Sequence, residues 1–243
     1  MVTQTAFVIF YSKNSRYSAN AVVAALESRV RDAEVYMVRW DAEDVLTFLR
    51  RLEEKGRRIL AGFSFNTFEV PEIMRIVKVV KEAIRNVVLV AGGPHATGDP
   101  VGTLLKLGFD VVVHGEGEET VVELYESYAS GGDPSVCGTA CREGDRVLLK
   151  KRAKRVNLDD FPPFPYWRRR FNPIEIMRGC ASACYFCEVT YAFGMPRYRS
   201  IDTVLHYSKI KLERGLKDLR FISPNSLGYC SRDGIKPAIE CLE

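Results

Sequence analysis

Short, almost unbroken apolar runs alternate with segments of helical period through the first half of the chain. Residues 6–11 (AFVIFY) read as a strand, and residues 16–30 as a helix with apolar positions at Val22, Val23 and Leu26. Residues 34–40 (EVYMVRW) form the next predicted strand. Asp41 stands where an N-cap belongs and Gly56 where a C′ glycine belongs, bracketing an amphipathic helix through Val45, Leu46, Leu49 and Leu52. RILAGFSF (58–65) is a third strand, and Pro71 opens a helix whose apolar stripe is Ile73, Ile76, Val77, Val80 and Ile84. NVVLVAGG (86–93) and FDVVVHG (109–115) follow as strands, separated by a short helix between Pro100 and Leu107 that Gly108 ends. Gly117 begins the last helix of this half, with Glu118 and Glu119 favourably placed in its first turn.

Strands that are apolar throughout, rather than at every second position, are covered on both faces, and their alternation with helices predicts a doubly wound, Rossmann-like parallel sheet. In such sheets ligands lie beyond the carboxyl ends of the strands. The loops there are 11–15 (YSKNS), 64–67 (SFNT), 92–97 (GGPHAT) and 114–118 (HGEGE). They are rich in Gly, Ser, Asn and Thr, which lets a ligand approach the backbone and find hydrogen bonds. Ser64, Thr67, Gly92, Gly93, Pro94, His95, Gly115, Glu116 and Gly117 are therefore the candidate cofactor-binding residues. A flavin or another nucleotide competes for these loops, because YSKNSRYSAN has something of a flavodoxin phosphate loop before a helix N-terminus.

The pattern changes after SGGDP (130–134). CGTACREGDRVLLKK (137–151) predicts a β-hairpin turning at Glu143-Gly144-Asp145, and VNLDDFPPFPYW (156–167) is a proline-aromatic connector. Cys137 and Cys141 are read as packing residues of the hairpin. The expected organisation is a first domain over 1–132, a hairpin and linker over 133–170, and a second domain over 171–243. That second domain begins with a short strand at Ile174–Met177, then a cysteine loop, a helix from Ile201 to Arg214 ended by Gly215, and a strand in DLRFIS (218–223). Such a β-loop-helix-β unit puts the loop at the edge where parallel α/β barrels carry their chemistry.

Composition narrows the picture modestly. The 243 residues are 47% hydrophobic and 27% charged, with a formal net charge of +4. The basic runs KKRAKR (150–155) and Arg168–Arg170 are read as a solvated linker in preference to a nucleic-acid surface. The N-terminus carries neither a membrane-length apolar run nor a signal-peptide pattern, so no membrane association is expected and a cytoplasmic location is. Thiols in that compartment stay reduced.

Three of the seven cysteines, Cys180, Cys184 and Cys187, fall within RGCASACYFCEVT (178–190). An odd trio leaves a disulfide scheme incomplete and falls one short of a structural zinc site, for which only the distant Cys230 is on offer. Clustered soft sulfur without a nearby histidine favours an iron–sulfur cluster, three thiolates holding three irons of a cubane and leaving the fourth open.

RGCASACYFC matches the CxxxCxΦC signature of the radical S-adenosylmethionine (SAM) superfamily, with Phe186 as the aromatic residue. GGPHAT, HGEGEETVVELYE (114–126) and LDDFPPFPYW (158–167) resemble its cobalamin-binding-domain class, so the resemblance covers nearly the whole chain. It implies a cobalamin-binding-type first domain and the start of a partial (β/α) radical SAM barrel. It further implies that Cys180, Cys184 and Cys187 ligate a [4Fe–4S] cluster whose open iron binds SAM, that Phe186 packs near the adenine, and that a reductant such as ferredoxin or flavodoxin feeds the cluster. Reductive cleavage of SAM would drive methyl transfer or rearrangement on an unidentified substrate. The alternative is a [4Fe–4S] and flavin- or nucleotide-binding module without radical catalysis.

The chain departs from the family pattern in three places. The cobalt-ligating DxHxxG motif is absent from the first loop, and neither His95, His114 nor His206 is assigned as its replacement. The Gly-Gly-Glu segment is replaced by SPNSLGY (223–229), where Ser223, Asn225 and Ser226 offer weak candidates for the methionine end of SAM. GIKPAIECLE (234–243) reads as the start of a helix, which gives the expectation of a shortened radical SAM domain.

Overall fold

The computed structural model describes residues 4–152 and 154–231. The predicted helix over 234–243 lies outside them. The chain divides into two compact units, Met1–Lys154 and Arg155–Glu243.

In the first unit, β1 (Thr5–Tyr11) leads into α1 (Arg16–Arg29), β2 (Glu34–Arg39), α2 (Val45–Glu54), β3 (Arg58–Ser64) and α3 (Val70–Ala83). Then come β4 (Val87–Gly92), the short helices α4 (Pro94–Gly98) and α5 (Pro100–Leu105), β5 (Val111–Val113) and α6 (Glu118–Ala129). The hairpin β6 (Thr139–Glu143) and β7 (Arg146–Lys150) completes it. One seven-stranded sheet results, in the order β2-β1-β3-β4-β5-β6-β7. Its first five strands are parallel and the hairpin adds antiparallel to β5. The strands foreseen in the connecting segment therefore extend the first unit's sheet.

Every residue of β1 is buried, as its central place in the sheet demands. Ala6, Val8 and Phe10 face one side and join Val45, Leu49, Leu52, Ile73, Val77 and Val80 in a single core. The intervening Phe7, Ile9 and Tyr11 are buried on the other face, because strand side chains alternate. Phe10 stacks on Phe63 across β1 and β3, with centroids 4.7 Å apart. Fully burying one such side chain contributes about 1.5–3 kcal/mol, so the pair anchors the two strands that flank the reversal in strand order.

Local departures from the sequence pattern have simple causes. The second helix is capped by Asp44, whose carboxylate accepts from the amides of Leu46 and Thr47. Asp41 instead pairs with Arg39 at 2.8 Å. The segment GGPHAT holds a helical turn, α4, which Pro94 starts after Gly93. Arg152, expected in a solvated linker, is only 16% exposed and forms ion pairs with Glu119 and Glu123 of α6 at 2.8 and 2.9 Å. It also donates to the Cys137 carbonyl at 3.0 Å. Cys141 is buried as expected of a packing residue, whereas Cys137 is exposed.

In the second unit, β8 (Ile174–Glu175) and β9 (Met177–Arg178) precede the cysteine loop, which runs into α7 (Val189–Phe193), β10 (Arg197–Tyr198), α8 (Ile201–Glu213) and β11 (Phe221–Ile222). The single strand expected at 174–177 is divided: β8 pairs parallel with β11, and β9 pairs antiparallel with β10. The predicted crossover is present, since α8 connects toward the strand that lies parallel to β8. Its core is small, built on Phe164, Ile174 and Tyr207. Phe164 comes from the proline-aromatic connector, which thus folds into the second unit. Among the described residues no helix is long and apolar enough to cross a membrane.

Candidate functional site

The order β2-β1-β3-β4-β5 reverses direction between β1 and β3, and a ligand crevice is expected at the carboxyl ends of those two strands. Glu69 occupies that place. It is buried, and its Oε1 accepts from Ser12 Oγ at 2.6 Å and Asn14 Nδ2 at 3.2 Å in the loop after β1. Its Oε2 accepts from the Asn66 amide at 2.8 Å and Asn66 Nδ2 at 3.2 Å in the loop after β3. Ser12 Oγ in turn accepts from the Asn14 amide at 3.1 Å. The sequence reading missed Glu69. Its signal was the spacing Asn66-x-x-Glu69 ahead of an apolar run, which is a capping box, and the structure forms one.

The remaining loops continue this seam. Ser64 Oγ lies 2.9 Å from Ser18 Oγ at the start of α1. Thr67 Oγ1 lies 3.2 Å from His95 Nδ1, and the His95 ring sits against Phe65 with centroids 5.6 Å apart. Gly93 has φ of 92°, and a Cβ there would come within 3.0 Å of the Phe65 backbone N and O and 3.1 Å of Ser64 Oγ. A side chain at Gly93 would therefore meet both a left-handed backbone and a neighbouring strand end. At Gly92 a Cβ would meet nothing closer than 4.0 Å, so the backbone there is open to approach. The Gly115 amide donates to Thr97 Oγ1 at 3.1 Å, joining the loops after β4 and β5.

Ser64, Thr67, Gly92, Gly93, His95 and Gly115 are thus brought onto one hydrogen-bonded edge, with Pro94 exposed beside them. Glu116 is buried, and Gly117 caps α6 where a Cβ would meet Val22 of α1 at 3.5 Å. Gly117 thus lies against the helical layer. His114 lies at the edge but is turned inward: its Nε2 is buried without a hydrogen-bond partner. Desolvation, and then the charge of Lys151, hold its pKa below the ordinary histidine value.

The cysteine loop is built differently. Arg178, just before it, is buried and grips Glu175 through two hydrogen bonds of 2.9 and 2.7 Å. Gly179 has φ of 85°, and a Cβ there would lie 2.5 Å from the Met195 carbonyl oxygen and 2.6 Å from that of Gly194. That close approach brings the Cys180 amide to the Gly194 carbonyl at 3.0 Å, while the Cys180 carbonyl accepts from Thr190 Oγ1 at 2.8 Å. Beyond this anchor the loop opens. Ala183 takes a left-handed φ of 47°, Cys184 is exposed, and Tyr185 and Phe186 are 99% and 91% exposed. Among the described residues no three His, Cys, Asp or Glu side chains converge as a metal site. The donor set nevertheless suits an iron–sulfur cluster: three free thiols on one short loop, and no histidine in it. Sites of this kind are commonly assembled by the metal they bind.

The fold and its switch point define the first unit as a doubly wound α/β domain with its crevice at the carboxyl ends of β1 and β3. Residues 10–125 match the family model described as the B12 binding domain. The chain is 28% identical over 218 residues to an uncharacterized methyltransferase of Pyrococcus horikoshii, an alignment covering 82% of this chain and 47% of that protein. It is 33% identical over 133 residues to the cobalamin-dependent radical SAM methyltransferase TokK of Streptomyces tokunonensis, covering 47% of this chain and 20% of that protein. The structure of the radical SAM methyltransferase TsrM from Kitasatospora setae superposes with a TM-score of 0.70 at 18% identity, over 95% of this chain and 49% of that one. The protein thus contains a B12-binding domain and is homologous to cobalamin-dependent radical SAM methyltransferases. It spans about half the length of the Pyrococcus relative, at 47%.

Proposed function

We propose that this chain is the cobalamin- and cluster-bearing part of a radical SAM methyltransferase. The observation that carries the proposal is the pairing, in one chain, of a B12-binding domain with a glycine-anchored CxxxCxxC loop leaving a β-strand. The hydroxyl- and glycine-rich edge formed by Ser64, Thr67, Gly92, Gly93 and His95 would hold the corrinoid. Cys180, Cys184 and Cys187 would hold three irons of a [4Fe–4S] cluster, with Phe186 free to cover an adenine. Loaded, these groups supply a methyl donor and the electron for reductive SAM cleavage.

The chain's own residues do the positioning. Gly179 and the Arg178–Glu175 pair fix where the thiol loop leaves its strand, and Thr190 holds the Cys180 carbonyl from behind. Gly92 leaves backbone accessible at the carboxyl edge of β4, and Thr97 ties that edge to the next loop. Free thiols kept for metal call for a reducing compartment, which places the protein in the cytoplasm on this reading, with ferredoxin or flavodoxin as electron donor.

Absorbance titrations of the protein with hydroxocobalamin and with FMN test the first unit: saturable uptake of the corrinoid is expected, and tight uptake of FMN alone overturns it. Anaerobic reconstitution followed by reduction tests the second, with 5′-deoxyadenosine released from SAM as the expected product. Absence of that product from a chain showing the [4Fe–4S] spectrum, even when it is supplied within a full-length relative's barrel, overturns the enzyme reading.

A further inference from the structure

We propose that Glu69 is the positioning residue of the corrinoid site, locking the loops after β1 and β3 into the arrangement that receives the cofactor. The inference rests on the cobalamin reading above and adds a role for a residue outside every motif that supports it. Three features carry it: the location at the reversal of strand order, the burial of the carboxylate, and the fact that its two oxygens divide cleanly between the two loops. Oε1 serves Ser12 and Asn14, and Oε2 serves the amide and side chain of Asn66. A helix cap alone would need only the Asn66 half of this arrangement. The Ser12 and Asn14 half connects segments 57 and 55 residues away in sequence, which is a tertiary function. Loops fixed before binding lose less conformational freedom when the ligand arrives, and affinity rises accordingly.

The chemistry distinguishes two substitutions. In Glu69→Gln the side-chain oxygen can keep both Asn66 bonds while the amide turns toward Ser12, whose hydroxyl oxygen can accept, and toward Asn14, whose amide can flip to present its oxygen. Glu69→Leu keeps none of the four. Hydroxocobalamin is titrated into the full chain and followed by its absorbance shift. Glu69→Leu is expected to weaken binding by about tenfold or more, and Glu69→Gln to restore most of it. Leu52→Ala, a core truncation on α2 that carries none of these loops, serves as the stability control and is expected to lower the urea midpoint without the affinity loss. If Glu69→Leu does not fold, Ser12→Ala combined with Asn14→Ala removes both side-chain bonds to Oε1, the half of the lock that holds the loop after β1, and is expected to weaken binding in the same way. No saturable binding by the unaltered chain overturns the functional reading and this inference with it. Saturable binding by the unaltered chain, matched by Glu69→Leu or by the double variant, overturns this inference alone, as does an equal affinity loss in Leu52→Ala.

Discussion

The carboxyl edge of the first sheet and the cysteine loop of the second unit both follow the ends of strands, yet they are finished to different degrees. At the sheet edge, each loop is tied to the next: Ser12 and Asn14 to Glu69, Ser64 to Ser18, Thr67 to His95, Thr97 to Gly115. In the cysteine loop the anchor to the neighbouring segment is at Cys180, a local turn from the Cys187 amide to the Cys184 carbonyl follows, and Tyr185 and Phe186 stand almost wholly in solvent. A site lined by neutral hydrogen-bonding groups can satisfy itself within the protein and be ready before its ligand arrives. A site made of thiols gains little from drawing them together until a metal provides the bonds.

The largest test of this contrast is chemical. Cys184→Ala is expected to abolish iron incorporation on anaerobic reconstitution, whereas Cys137→Ala, in the first unit's hairpin, is expected to leave bound iron unchanged. Equal loss from both would mean the wrong thiols have been chosen. The two strained glycines come next. Gly179→Ala would press a methyl group against two carbonyl oxygens and Gly93→Ala against the Phe65 backbone, each at positive φ. Each is expected to cost on the order of 1–3 kcal/mol or more, read from urea unfolding followed separately in the two units. Because the edge is prebuilt, Gly93→Ala is expected to weaken corrinoid uptake as well.

Much of the fold was legible because a fully buried parallel sheet leaves unbroken apolar runs, and the five parallel strands of the first unit stood where those runs lie. Boundaries fared less well wherever two residues competed for one role. Asp41 and Asp44 both precede the second helix, and the choice fell to Asp44 because Arg39 captures Asp41. The division of 174–178 into two strands was invisible, since each is two residues long and its partner is distant in sequence. Arg152 looked like one member of a basic run because the two glutamates that hold it lie on α6, more than a turn of hairpin away. The cysteine trio was plain from spacing. Glu69 was within reach as a capping-box residue, but only the topology reveals that its other oxygen serves the loop after β1.

Smaller effects sharpen the same comparison. Asp44→Ala is expected to cost about 1 kcal/mol of first-unit stability, the usual loss for an N-cap, without altering either site. The hydrogen bond from the Thr47 side chain, then that from its amide, hold the Asp44 pKa below the ordinary carboxylate value. Its contribution is therefore present above the unfolded carboxylate pKa of about 3.9 and disappears as pH falls through the lower folded value. Burial of His114 acts in the same direction at higher pH. Because its folded pKa is depressed, the unfolded chain takes up the proton first, and stability is expected to decline as pH falls below the unfolded histidine pKa of about 6.5 toward the folded value. His114→Phe is expected to flatten that slope in urea denaturation between neutral and mildly acidic pH, and an unchanged slope would assign it to other groups.

Backbone hydrogen exchange, measured by mass spectrometry on the apoprotein, the hydroxocobalamin-loaded protein and the anaerobically reconstituted protein, tests the contrast most directly. The expected result is that residues 64–69 are already protected in the apoprotein and gain only modestly with hydroxocobalamin, whereas residues 181–186 exchange freely until reconstitution and then become protected. Free exchange at 64–69 in the apoprotein, or no gain at 181–186 on reconstitution, would contradict the account of one site built in advance and one built by its cluster.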